Sequence, residues 1–269
     1  MKIEDAILSN DKMGISKVRK YLPENFCEKA AEYILEHSKR ILIATGFYVN
    51  EKCDIDGLPG AIFLSQVLKS LGSEITFVTD KYCSNILKQV QDFSVIDFPL
   101  NEIEDNFSEA LIQKLNPALI ISIERCGAGK DGNYYNFKGE NITEHTAKLD
   151  FLMERISYSV AVGDLGNEMG MGDLYGWTKK EKIVPEPSVT KAKHLVISSI
   201  SNWGCYGIIA YISKFLKKDY LKIINEEELL KKLNKLGAID GITHSKEQTV
   251  DGHTLEETKE ILKKLHFQI

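Results

Sequence analysis

Carboxylates gather in this sequence where cations are missing. Asp164, Glu168 and Asp173 fall in residues 156–178, a stretch without a single Lys or Arg. Such a cluster suits magnesium or manganese held by oxygen ligands, and equally suits acid–base work or capture of a substrate ammonium. The plainer reading is that Asp164 or Asn167 caps a helix while Glu168 faces water. A second segment offers the opposite charge. Arg125 can hold a carboxylate or phosphate through paired hydrogen bonds, Lys130 adds a point charge, and Asp131, Asn133, Tyr134, Tyr135 and Asn136 follow. There the plainer reading pairs Arg125 with Glu124 or Asp131 and packs the tyrosines on a sheet edge. Asp56 and Gly57 stand just before a helix expected to start near Gly60, where free backbone amides attract anions unless Asp56 caps them. Ser201-Asn202-Trp203-Gly204 leads into another helix.

These groups need elements to hold them. Short apolar, β-branched runs recur at residues 41–44, 75–78, 95–96, 119–123, 160–162 and 195–197. Hydrophobicity that is continuous rather than alternating means both faces are covered, the signature of parallel strands. Amphipathic stretches at 61–71, 86–91, 107–115, 145–156 and 206–217 separate them. Strand–helix alternation predicts a doubly wound, mainly parallel α/β sheet of about six strands with helices on both faces. Extra helices are expected at both termini. One domain is expected over 1–269, with a helical lead-in at 1–39, a core at 40–217 and a helical extension at 218–269. Residues 237–251 read as an ordered loop on one rim. In such a sheet, ligands bind beyond the carboxyl ends of the strands. Thr45-Gly46, Thr79-Asp80, the loop from Glu124, the loop from Gly163 and the segment before Asn202 all follow a strand. Nine of the 19 glycines lie in residues 124–139 and 163–176, as expected where backbone must turn or approach a ligand closely.

Several functions are set aside. Gly127-x-Gly129-x-x-Gly132 fits a dinucleotide fingerprint, but no helix opens there and no fitting acid follows, so no NAD site is expected. No nucleophile elbow or Ser–His–Asp order is visible, and His145 and Cys126 read as structural. The formal net charge of -5 and pI near 5.8 argue against nucleic acid. No run approaches the roughly 20 apolar residues of a membrane span. The five cysteines form no CxxC pair, so neither a disulfide framework nor a zinc site is expected, nor haem. A reduced, cytoplasmic protein is expected, with nothing to identify a homodimer interface.

Glu124-Arg125 with Asp131 to Asn136, Gly163-Asp164 through Gly172, and Ser201 to Gly204 resemble the C-terminal domain of the D-glutamate cyclase family. Thr45-Gly46, Asp56-Gly57, Thr79-Asp80, Asp240-Gly241 and Asp251-Gly252 support the resemblance. It implies dehydration of D-glutamate to 5-oxo-D-proline, the amine attacking its own side-chain carboxyl. The residues themselves suit such a substrate, with Arg125 on the α-carboxylate, a divalent metal on Asp164, Glu168 and Asp173, and Asp131 or Asp80 as proton acceptor. Thr45, Gly46, Asp56, Gly57, Asp80, Glu124, Asn133, Tyr134, Asn136, Asn167, Asn202 and Trp203 are the candidate substrate contacts at the strand ends. Two other readings stay open: a metal-dependent binder of a phosphate or nucleotide, and a non-catalytic partner of a separate hydro-lyase-like protein.

Overall fold

The computed structural model describes residues 1–101, 106–245 and 247–269. Six parallel strands form its centre: β1 (Arg40–Thr45), β2 (Glu74–Thr79), β3 (Ser94–Asp97), β4 (Leu119–Ile123), β5 (Ser159–Gly163) and β6 (His194–Ile197). Their spatial order is β3-β2-β1-β4-β5-β6, every neighbour parallel. The chain winds outward from β1 to β3, then returns to β1's other side at β4. Order therefore reverses between β1 and β4, the place where an open α/β sheet forms its crevice. The architecture is the doubly wound α/β sheet that the apolar runs predict. Every residue of β4 and β5 is buried, which is why their sequences show no alternation.

The helices are α1 (Ile3–Ile7), α2 (Phe26–Glu36), α3 (Leu58–Ser70), α4 (Lys81–Val90), α5 (Asn106–Leu115), α6 (Asp150–Arg155), α7 (Tyr175–Lys180), α8 (Ser201–Leu216), α9 (Glu226–Leu236) and α10 (Leu255–His266). Helix α8 is buried from Ser201 through Ser213 because α1, α2, α3 and α10 all pack on it. An apolar surface all round is what such a helix requires. Gly60 lets α3 approach it, since a Cβ there would lie 2.9 Å from Cys205. The helix expected over 145–156 divides in two. His145 ends a 3-10 turn (Thr143–His145), stacks on Tyr48 and bonds Tyr82 Oη through Nδ1 at 2.8 Å, while α6 starts at Asp150.

The cysteine expectation is corrected. Cys53 and Cys83 form a disulfide with Cα atoms 5.1 Å apart, leaving Cys27, Cys126 and Cys205 free. Cys53 ends a short hairpin (Tyr48–Val49 with Lys52–Cys53) and Cys83 lies in the first turn of α4. A separation of 30 residues carries no local signal; the packing of the hairpin against α4 joins them. No helix among the described residues is long and apolar enough to cross a membrane.

Candidate active site

The strand ends deliver carboxylates from several loops to one place. After β1 and the hairpin, Asp54 turns back on its own loop: its Oδ1 accepts from Asp56 N and Gly241 N, both at 3.1 Å. Asp56 reaches the start of α8 and accepts from Ser201 N (2.8 Å) and Asn202 N (3.1 Å). It does cap a helix, though α8 rather than the helix that follows it in sequence. Asn202 Oδ1 answers by accepting from Gly60 N at 2.8 Å, so the starts of α3 and α8 satisfy each other. These amides already have acceptors and are not free to receive the anion expected at the helix start near Gly60.

Glu124 follows β4 with φ of 45°, a left-handed conformation uncommon outside glycine. Its Oε2 accepts from Ser201 Oγ at 2.7 Å. Gly57 has φ of 77°, and a Cβ there would fall 2.4 Å from Glu124 Cβ. Only glycine fits between them. Asp164 follows β5 and is buried, with neither carboxylate oxygen hydrogen-bonded. Glu168 explains its aim. Its Oε1 accepts from Asp164 N (3.1 Å) and Leu165 N (2.7 Å), and its Oε2 from Gly166 N (2.6 Å). The Glu168 carboxylate is thus spent on winding the loop, and Asp164 is left to point inward.

Carboxylate oxygens of Asp56, Glu124 and Asp164 all lie within 4.8 Å of one another. At an effective dielectric near 20, two such charges repel by roughly 3 to 4 kcal/mol. Burial, and then the neighbouring carboxylates, push Glu124, Asp164 and Asp251 well above the usual carboxylate range. Burial lifts Asp56 to about 6, against the lowering effect of its backbone hydrogen bonds, and burial with Asp56 lifts Asp54 to about 8. Asp240 goes the other way. Burial opposes its charge, yet a hydrogen bond from the Thr249 side chain and bonds from Thr243 N, Gly252 N and Ile242 N at 2.9, 3.0 and 2.8 Å hold it low. Asp54, Glu124 and Asp251 open onto a cavity of about 190 Å³ walled by Phe47, Tyr48 and Phe137. That size suits a metabolite rather than a drug-sized ligand.

Of the residues singled out from sequence, the fold brings Asp56, Glu124 and Asp164 together, and Asn136 and Asn167 line the cavity. Gly57 and Asn202 hold the cluster from behind. Others are placed elsewhere. Arg125, expected on a substrate carboxylate, is fully buried: NH1 donates to Gly46 O (2.8 Å) and Asp80 Oδ2 (2.6 Å), and NH2 to Ala147 O (2.8 Å). It is a strut between strand ends, and it occupies both Gly46 and Asp80. Asp80 also caps α4 through Tyr82 N. Asp131 is exposed, accepting from Tyr135 Oη at 2.6 Å and Asn133 Nδ2 at 2.8 Å, which hold its carboxyl down to about 2. A carboxyl so acidic is a poor proton acceptor. Asp173, expected as a metal ligand, is exposed and paired with Lys191 at 2.7 Å. Tyr134 is buried on Asp150, Thr45 lies in the sheet interior, and Trp203 donates to Thr258 Oγ1 at 3.1 Å inside the core. Asp54 was missed, although it stands two residues before Asp56. Asp251 was missed as a cavity residue because nothing local ties it to a strand end; the Asp-Gly pairs at 240 and 251 were the available signal. The rim loop carries Gly241, Ile242, His244 and Asp251 onto the cavity, while Lys246 lies outside the described residues.

The sequence model described as D-glutamate cyclase-like, C-terminal, matches residues 3–266. Mitochondrial D-glutamate cyclase of Homo sapiens is 30% identical over 207 residues, which cover 66% of this chain and 33% of that protein. The chain therefore spans about a third of that relative's length.

Proposed function

The chain belongs to the D-glutamate cyclase-like family, and from that premise we propose that it is a lyase closing a glutamate-like amino acid into its lactam. The observation that carries this reading is the buried triplet Asp56, Glu124 and Asp164, whose charges no ion pair offsets among the described residues. The donor set fits a divalent cation: three carboxylates, hard oxygen ligands, with both Asp164 oxygens free of hydrogen bonds. A magnesium or manganese ion there supplies a Lewis acid that polarises a carboxyl group.

The remaining chemistry belongs to this chain's own residues. Asp54, with its carboxyl lifted to about 8, sits near the pH at which a group both takes and returns a proton. It accepts a proton from the substrate ammonium, and the freed amine nitrogen bonds to the side-chain carboxyl carbon. Asp54 passes that proton to one carboxyl oxygen, takes a second proton from the nitrogen as the new C–N bond becomes an amide, and returns it to the resulting hydroxyl, which leaves as water when the C–O bond breaks. Asn167 Oδ1, buried and unpartnered, offers an acceptor to the amine.

The test is direct assay of the purified chain with D-glutamate or L-glutamate, manganese or magnesium, and chiral detection of 5-oxoproline. Glu124→Gln and Asp164→Asn should each lower turnover by on the order of 100-fold while remaining folded. Turnover unchanged in both variants, or absent from wild type that binds cation and amino acid, overturns the catalytic reading and leaves a binding one.

A further inference from the structure

We propose that Lys138 selects ligands by their free α-carboxylate, an inference that rests on the reading of the cavity as an amino-acid site. Among the described residues it is the only lysine or arginine lining the cavity, against the carboxylates of Asp54, Glu124, Glu140 and Asp251. An anionic group taken out of water among these acids finds no side-chain counter-charge in the lining unless Lys138 supplies it. Arg125, the obvious partner from sequence, is committed to Asp80, Gly46 and Ala147 and does not line the cavity.

Lys138 is placed for the task by its turn. Asn136 Oδ1 accepts from Lys138 N and Glu140 N, both at 3.0 Å, and Asn136 N donates to Glu140 O at 3.0 Å. Gly139, with φ of 81°, closes the turn by donating to Asn136 O at 2.9 Å. The backbone is therefore fixed before a ligand arrives, which lowers the ordering cost of binding. Among the described residues the side chain makes no ion pair or hydrogen bond: its ammonium rests over the Phe137 ring at 5.3 Å, and the neighbouring Glu140 carboxylate accepts from Asn136 Nδ2 at 2.6 Å instead. The cavity is thus bipolar, acidic at the floor and cationic at one point of its rim. A ligand with an amine and a reacting carboxyl toward the floor presents its α-carboxylate to Lys138.

The experiment compares D-glutamate with D-isoglutamine, in which the α-carboxylate is an uncharged amide, by titration calorimetry with manganese present. Wild type should prefer D-glutamate by on the order of tenfold. Lys138→Gln should bring that preference close to one, and Lys138→Arg should keep part of it. Manganese affinity and melting temperature should be unchanged in Lys138→Gln, as expected of an exposed side chain. A preference retained in Lys138→Gln, including the case where both ligands weaken together, overturns the assignment. Binding of manganese without either amino acid in wild type overturns the amino-acid reading itself, and this inference with it.

Discussion

Raising metal-free protein from about pH 5 to about pH 8 should destabilise it, and a divalent cation should cancel the effect. The sign follows from the carboxyls. Asp56 and Asp54 hold protons up to about 6 and about 8 in the folded chain, whereas unfolded they release them near the ordinary value of 3.8. Their stabilising contribution is complete below that ordinary value and is lost as pH climbs through about 6 and then about 8. At roughly 1.4 kcal/mol per pH unit, Asp56 accounts for about 3 kcal/mol in all. Slightly under half of that is still to be lost above about pH 5, and Asp54 loses more over the range because its value lies at about 8. Glu124, Asp164 and Asp251 are raised for the same reasons and add with the same sign. A typical fold has only about 5 to 15 kcal/mol to lose, so this demand is large. A cation at 100 times its Kd contributes about 2.7 kcal/mol, or on the order of 5 to 10 °C in Tm for a chain of this length. The gain should be larger at pH 8 than at pH 5, because protons compete for the same oxygens. Thermal melts with EDTA or manganese across this range provide the assay, with Asp164→Asn as control. That variant should melt higher than wild type in EDTA at pH 8 and should gain little from manganese. Identical melts with and without cation at pH 8, or a flat profile in EDTA, would refute the reasoning.

Two further outcomes concern the scaffold. Arg125→Met leaves the Asp80 carboxylate buried without its 2.6 Å partner and should cost about 3 to 5 kcal/mol in urea unfolding; a loss below about 1 kcal/mol would remove its role as a strut. Alkylation of denatured, unreduced protein should label Cys27, Cys126 and Cys205 but not Cys53 or Cys83, and Cys83→Ser should lose about 3 to 4 kcal/mol for a loop of 30 residues. Labelling of all five cysteines would contradict the crosslink.

The sheet was legible because burial on both faces writes itself into consecutive residues: the run at 119–123 coincides with β4, and the other runs extend by a residue or so. Helix α8 begins at Ser201, earlier than its apolar stretch suggests, because its first turn is polar and capped from a distant loop. That the loops meet at one end of the sheet was readable from position alone. Which carboxylate faces inward was not. Asp164 and Glu168 differ by four positions and share a chemistry, and only the backbone hydrogen bonds tell that one winds the loop while the other is free. Arg125 misleads for a similar reason, since a guanidinium suited to a substrate carboxylate is equally suited to Asp80.

Asp54 and Asp251 meet across most of the chain, and this bears on how the protein is made. On a ribosome, all six strands, with Asp56, Glu124 and Asp164, emerge well before the rim loop that bears Asp240 and Asp251. The N-terminal part of a chain is the first to be free of the ribosome during synthesis. The sheet and α8 can therefore consolidate while the pocket is still open and its full negative charge not yet assembled. Asp251, the last carboxylate to join the cavity, is added onto a framework that is already formed.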